Sequence, residues 1–461
     1  RVLFRSTGAT APTEPTAPTG PPPTAAPVAP AAPPALVPPA KQAVPHESFQ
    51  MHNGLRVVLQ QDSRLPFVTV CVVYHVGAYD EDAGKSGLAH LFEHLMFEGS
   101  RGTLPRNAFH VLSEMGVVDA NGTTSWDQTV YYETIPAINL ESALWMEADR
   151  MENLTGAENT IHQEEARSIV KNERRQRYET VPYAGAYEAL AMRLFAPTHP
   201  YSRYVIGSFD DLDRVTTKDL REFYKTWYGP NNATLVIVGD VPSGEARRLV
   251  SQYFGPLQRR GTPLSQPRPA APPGTAARVR VKDALAAAPA LILGWATPPI
   301  DSQEDRIADV TATILQSRLQ RRLVRTLGLA SQVLVDQQSR VGQSLFQINL
   351  ILRSTNQLGK AQGLTDAVLD ELRQDTVSDD EVAQARLGLV TDRYWDLEDP
   401  VNRARSLARW TRFHNGVDQF RETLAGYQRI TAADVARFVR ETLRAEARVA
   451  VEVEPTRRQD P

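Results

Sequence analysis

His90-Leu91-Phe92-Glu93-His94 puts two imidazoles and a carboxylate within a single helical turn. At about 100° per residue, His90 and His94 leave a helix about 40° apart with Glu93 between them, so all three share one face. Two imidazoles at this spacing can hold one zinc ion. The neighbouring carboxylate can take the proton of a water that zinc acidifies to a pKa of about 7. A catalytic zinc site needs a third protein ligand and one open position. Glu164, Glu165 and Glu173, in a later helical pattern, all offer a carboxylate, and the residues alone leave the choice open. His75, His110, His162 and His199 have no ligand partner at metal spacing and read as ordinary polar residues. Cys71, the only cysteine, lies in an apolar run and reads as a small core residue, so no intrachain disulfide can form.

The elements that position these groups follow from pattern. Asn53-Gly54, between Phe49–Met51 and Leu55–Leu59, predicts a hairpin. A β-branched strand, Phe67 to Val76, follows. Asp80, Glu81, Gly84 and Gly87 lead into the metal helix, which Gly99 ends. A helix from Pro105 to Gly116 precedes paired strands at Val117–Ser125 and Gln128–Glu133. Helices are expected at Asn139–Asn153, Asn159–Arg177, Tyr187–Phe195 and Thr217–Trp227, then a strand at Ala233–Val238 and a helix at Pro242–Phe254. Trp145 to Met151 have helical spacing and read as core.

Residues 1–45, dominated by Pro, Ala and Thr, read as a disordered tether with no charged start and apolar core of a secretory signal. Tethers of this kind follow export signals in bacterial envelope proteins, which points to the periplasm, with the cytoplasm as the alternative. Two α+β domains are expected, at 46–255 and 278–455, joined by a Pro- and Arg-containing linker at 256–277. The second half repeats the grammar: strands at Ala277–Val281 and Leu291–Trp295, a helix from Asp301 to Arg325, strands at Ser331–Asp336 and Ser344–Leu352, helices to Leu443 and a last strand at Ala447–Val453. Thr216-x-x-Asp219-Leu220-x-x-Phe223, followed by Ala233-x-Leu235-x-Ile237, is echoed by Thr431-x-x-Asp434-Val435-x-x-Phe438, followed by Ala447-x-Val449-x-Val451. A Thr cap with an acidic residue three positions on, an apolar face and a buried strand close both halves, as duplication would leave them.

The 461 residues, 42% hydrophobic and 23% charged, suit a soluble globular chain of two or more domains. With 51 basic against 54 acidic residues and no basic block interleaved with aromatics, nucleic acid is excluded as the expected partner. The apolar run Ala284–Ala296 is too short for a membrane span and contains Pro289.

The run Gly87-Leu88-Ala89-His90-Leu91-Phe92-Glu93-His94-Leu95-Met96-Phe97-Glu98-Gly99-Ser100 resembles the signature of the pitrilysin, insulin-degrading enzyme and mitochondrial processing peptidase family, inverzincins of the short bacterial subunit type. The resemblance continues through Asn121–Ser125, Thr129–Glu133, Trp145–Met151, Val170–Arg175 and Tyr228–Ala233, and is specific from about His46 to Asp240 but loose from Arg278 to Pro455. It implies two homologous domains, each an antiparallel sheet packed with helices, paired with a second subunit into a clamshell around a closed chamber. It implies one zinc per chain and hydrolysis of unfolded or extended peptides, with the alternative of a catalytically silent assembly subunit. The family's third ligand matches Glu173. The carboxylate it often carries seven residues earlier is replaced by Ala166, so the outer carboxylate is absent or shifted to Glu165. Asn121, Gly122 and Thr123 match an edge strand that receives substrate as an added strand, where glycine permits close approach. The family's substrate-gripping Arg and Tyr fall at Val324 and Ser331, beside Gly328-Leu329-Ala330, with Arg325 one residue out of register, and the second half has no H-x-x-E-H. A homologous non-zinc partner is therefore expected to supply Arg and Tyr, with a homodimer possible for the chain alone.

Overall fold

A computed structural model describes residues 44–104, 106–154, 159–261, 276–374, 376–414 and 419–456. Nearly all of the expected tether, and residues 262–275 of the expected linker, lie outside the described residues. Six strands build the first sheet: β1 (Glu47–Gln50), β2 (Arg56–Gln61), β3 (Phe67–Tyr74), β4 (Asp119–Thr124), β5 (Thr129–Pro136) and β6 (Ala233–Gly239). Their order is β1-β2-β6-β3-β5-β4. Five build the second: β7 (Ala277–Asp283), β8 (Ala290–Thr297), β9 (Ala330–Gln338), β10 (Ser344–Leu352) and β11 (Val449–Pro455), in the order β7-β11-β8-β10-β9. Without β1, the first order maps onto the second strand for strand.

The expectation of purely antiparallel sheets needs a correction. β6 is parallel to β2, and β11 is parallel to β7, while every other pairing is antiparallel. The reason is topological: β2 and β3 run in opposite directions, and a late strand inserted between them must run parallel to one of the two. The same holds for β11 between β7 and β8.

The expected echo between the halves has the same local chemistry at both ends. Thr216 and Thr431 each accept the amide of the acidic residue three positions on at 3.2 Å, and each receives that carboxylate on its own amide at 2.9 Å. These boxes start the helices Thr217–Trp227 and Ala432–Glu441, each followed by the strand that enters the middle of its sheet. The short helix Phe209–Arg214 was not expected, because six residues show no resolvable period. Two longer helices end in π turns, at Arg175–Glu179 and Gln320–Thr326, where continuous α-helix was expected.

Each half lends a helix to the other's sheet. Pro400–His414 packs on β6, β3 and β2, and Ala184–Leu194 packs on β11, β8 and β7. Val57, Val70, Val72, Leu235 and Ile237 share a first core with the metal helix, while Val58, Cys71, Val73, Val236 and Val238 on the opposite face share a second core with Ala404, Leu407 and Ala408. Cys71 is fully buried there, and burial pushes its thiol up to about 12, so it behaves as a small hydrophobe. Gly294 of β8 leaves room for Leu190, whose side chain would lie 2.6 Å from any added Cβ. Anchors complete the exchange: Arg403 donates to Asp62 at 2.6 Å, and the Tyr183 amide donates to Asp283 at 2.7 Å.

Because the exchanged helices make each core partly the property of both halves, unfolding should be one cooperative transition. Thr216→Ala and Thr431→Ala should each lower stability by about 1 kcal/mol, and both should shift the same transition in a urea or thermal melt. Two transitions, each moved by only one of the substitutions, would disprove the interlock.

Candidate metal centre

The metal helix is Leu88–Leu95, shorter than expected, since it stops before Gly99. Leu88, Leu91, Phe92 and Leu95 enter the first core and fix its rotation. Gly87 begins it at φ +88°, and an added Cβ would lie 2.6 Å from the carbonyl of Ile206, so glycine is required for both backbone sign and space. Gly87 offers no capping side chain. Glu81 does this from a distance, its carboxylate accepting the amides of Ala89 at 2.8 Å and Gly87 at 3.1 Å. Burial pushes that carboxyl up to about 8 against the pull of both donors.

Rotation places His90 and His94 toward Glu173, which arrives on the helix Thr160–Arg174. Nε2 of His90 lies 3.6 Å, and Nε2 of His94 3.4 Å, from the same oxygen of Glu173. These separations are too long for good hydrogen bonds. They match what a shared tetrahedral ion requires, since ligands about 2.05 Å from zinc stand about 3.3 Å apart. Nε2 of His94 is buried and has no hydrogen-bond partner, the cost that a bound ion would remove. Burial, then the neighbouring His94, lowers the His90 pKa to about 4, so the ring is neutral, as a ligand must be. The histidines hold the Glu173 carboxyl below its usual range. The donor set thus fits zinc.

Glu93 leaves the same helix toward β4. Its carboxylate accepts from Thr124 Oγ1 at 2.5 Å. Burial raises its pKa, and the Thr124 bond opposes that rise. Gly122 is the reason the two elements approach: an added Cβ would sit 2.9 Å from Glu93 Cγ and 2.9 Å from Phe97. The glycine therefore makes room for the protein's own carboxylate, whereas the sequence suggested room for substrate. Thr124 was not singled out. Strand alternation places it on the Gly122 side, opposite Asn121 and Thr123.

A cavity of about 400 Å³ joins these groups, lined by His90, Glu93, His94, Glu173 and the strand residues Asn121–Thr124. Arg177 reaches back from the π turn to the other Glu173 oxygen at 3.1 Å. Among the described residues, β4 is the end strand of its sheet, paired only with β5. The Thr123 side chain faces away from the metal helix and accepts from Arg405 at 3.2 Å.

The other sequence candidates separate. Glu165 does not line the cavity but gathers with Glu98 and His162, their donor atoms all within 4.8 Å of one another. This corrects the reading of His162 as having no ligand partner at metal spacing: Glu98 comes from beyond the metal helix, a contact that spacing along the chain does not reveal. Ala166 is fully buried in the first core, which leaves no space there for the usual carboxylate. Glu164 is exposed beside Arg167. His75 is buried against Thr234 at 3.0 Å, and His110 is exposed near Glu114. Ser331 donates to the carbonyl of Ile351 at 3.2 Å, Val324 packs on the second core and Arg325 is exposed. Within Trp145–Met151, Glu147 and Arg150 form a buried ion pair, with Arg150 4.7 Å from the centre of the Tyr131 ring, so this motif is structural.

The family described as Insulinase (Peptidase family M16) matches residues 56–198, and that described as Peptidase M16 inactive domain matches residues 214–389. The second match falls largely on the half without an H-x-x-E-H. A Helicobacter pylori protein named zinc protease PqqE is 29% identical over 77% of this chain and 80% of its own length. An Escherichia coli protein named probable zinc protease PqqL is 32% identical over 45% of this chain, but over only 23% of itself. The crystal structure of a protease from Helicobacter pylori superposes with a TM-score of 0.82 at 25% identity, covering 89% of this chain and all of that one. No helix among the described residues is long and apolar enough to cross a membrane. By sequence and by fold, this chain belongs to the M16 family of insulinase- and pitrilysin-like peptidases.

Proposed function

We propose that the chain is a zinc-dependent endopeptidase that hydrolyses unfolded or extended peptides, with one zinc per chain held by His90, His94 and Glu173. The observation that carries this reading is the pair of 3.4 and 3.6 Å separations around a buried, unpartnered His94 Nε2, with a second carboxylate in the same cavity. Zinc bound there supplies Lewis acidity, making water acidic enough to lose a proton near neutral pH. Glu93 is the general base that takes that proton and then delivers it to the leaving amine. Thr124 positions Glu93 and favours its charged form. Arg177 orients Glu173 from the far side, as a residue outside the ligand set commonly does.

Substrate adds as a strand to the open edge of β4, where the backbone of Asn121, Gly122 and Thr123 offers ladder bonds that are indifferent to sequence. Glu165 sits apart from this arrangement and keeps no role in it. Residues 46–255 form the metal-bearing domain and 278–455 its homologue, with 256–277 as linker and 1–45 as tether. Val324 and Ser331 cannot stabilise a developing oxyanion, since valine has no donor and the serine hydroxyl is bonded to its own sheet. A homologous subunit without zinc supplies Arg and Tyr across a closed chamber, and the chain alone forms at most a weakly active homodimer. The presence of His90, Glu93, His94 and Glu173 together argues against a silent assembly subunit. We place the protein in the periplasm, since the periplasmic protease PqqL of Escherichia coli has the same fold.

Glu93→Gln should retain one zinc by atomic absorption and lose about 10²–10⁴-fold in kcat, the usual worth of a general base. His94→Ala should lose metal and activity together, and an active Glu93→Gln would refute the mechanism. Thr124→Val should keep zinc and lower kcat about tenfold, the worth of a hydrogen bond to a charged group. Because that bond favours the ionised carboxylate, its loss should also move the acid limb of the pH–rate profile to higher pH. An unmoved limb would show that Thr124 does not tune the base. A reduced, unfolded protein should be cleaved while its disulfide-bonded form persists, and a homologous partner encoded alongside should raise the rate. Full activity of the lone chain would exclude the two-subunit design.

A further inference from the structure

The helix Pro400–His414, lent by the second half to the first sheet, carries Arg405, Arg409 and Arg412 at i, i+4 and i+7, hence on one face. The ends of this row are tied to the edge of the sheet. Arg405 donates to Thr123 Oγ1 at 3.2 Å and lies 5.3 Å from the centre of the Tyr132 ring, and Arg412 donates to the carbonyl of Asp127 at 3.1 Å. Arg409, one turn beyond Arg405, therefore stands beside the stretch of chain between Thr123 and Asp127. Among the described residues it makes no hydrogen bond or ion pair.

A cavity of about 200 Å³ lies against Arg405 and Arg409, lined also by Ser406, Trp410, Thr423 and the carboxylate of Asp396, and Arg405 alone of its lining reaches β4, at Thr123. Arg393 also lines it, but its charge is offset by Asp396 at 3.5 Å and Asp309 at 3.8 Å. Among the described residues, neither Arg405 nor Arg409 has such an offset. Trp410 is only 3% exposed, and its indole N–H is without a partner, as are the buried Nε groups of Arg405 and Arg409. With Arg393 offset by Asp396, the two remaining guanidinium charges leave this small space net positive and suited to an anion.

We propose that this cavity binds a carboxylate of the peptide lying along β4, through Arg409 with support from Arg405. The inference rests on the endopeptidase reading above. A strand added to β4 sends alternate side chains to opposite faces of the sheet. One set meets Glu93 and the histidines on the Gly122 and Thr124 side. The other set meets Arg405 on the Asn121 and Thr123 side, so residues adjacent to those at the metal are read by the arginines. An aspartate or glutamate side chain and a C-terminal carboxylate offer the same chemistry.

The test is a ratio of kcat/KM values for matched fluorogenic peptides. In one arm Glu is exchanged for Gln at successive positions around the scissile bond. In the other the C-terminus is free acid or amide. The wild type should favour the acid form about tenfold or more, as a charge-assisted pair predicts, at one position or at the C-terminus, and the responding arm identifies the source. Arg409→Gln should bring that ratio close to one, and Arg409→Lys should keep part of it, at equal zinc content. A wild-type ratio near one in both arms, or a ratio unchanged by Arg409→Gln, overturns the proposal while leaving the peptidase intact. If no peptide is cleaved, the endopeptidase reading fails, and fluorescence anisotropy with the same peptide pairs decides this one. Tighter binding of the acid form, lost in Arg409→Gln, upholds the site, and equal binding of both forms removes it.

Discussion

The metal site depends on the grip exerted on a helix too short to persist alone. Leu88–Leu95 spans eight residues, well below the length at which an isolated helix is stable in water. Its order comes from outside: Leu88, Leu91, Phe92 and Leu95 are clamped in the first core, and Glu81 satisfies amides at its first turn. The clamp sets the rotation, and the rotation sets where His90, Glu93 and His94 point. Each ligand is thus only as well placed as the apolar residues between the ligands. The crossing of Gly87 under Ile206 and Gly207 closes the open end of the clamp, since neither glycine has room for a side chain.

The same dependence on remote groups governs Glu93. Burial makes its carboxylate a stronger base, and Thr124 keeps that base ionised. A general base needs a pKa matched to working pH, and on Glu93 burial pushes upward while the Thr124 bond pulls downward. Both come from β4, whose Gly122 allows the helix to approach. An edge strand able to receive a peptide and a base able to serve it are in this way one packing arrangement.

The triad on the metal helix was legible in the sequence because i, i+3 and i+4 is a purely local relation. Choosing Glu173 over Glu164 and Glu165 required the family resemblance, and the structure shows what separates them: Glu173 meets the histidines, Glu164 is exposed and Glu165 turns toward Glu98 and His162. Most strands were visible as apolar runs, and those runs were continuous because helices cover both faces. The source of the second cover was not visible, since nothing local marks Ala184–Leu194 or Pro400–His414 as helices for the other half's sheet. The parallel pairs, the Glu81 cap and the Thr124 bond were hidden for the same reason. Each joins residues far apart in the chain.

The helix exchange also explains why a half without a metal is retained in the chain. The second sheet follows the order of the first, and its β9 occupies the edge position that β4 holds, yet Ser331 there is bonded within its own sheet and that half has no H-x-x-E-H. Its contribution to the first site is instead the helix that buries Cys71, Val73 and Val236 and brings Arg405 against Thr123. The candidate metal ligands on one face of β4 come from the first half alone, and the arginine on the opposite face comes from the second. Because side chains of an extended peptide alternate between those faces, on the proposed reading the second half bears on which peptides the site in the first accepts.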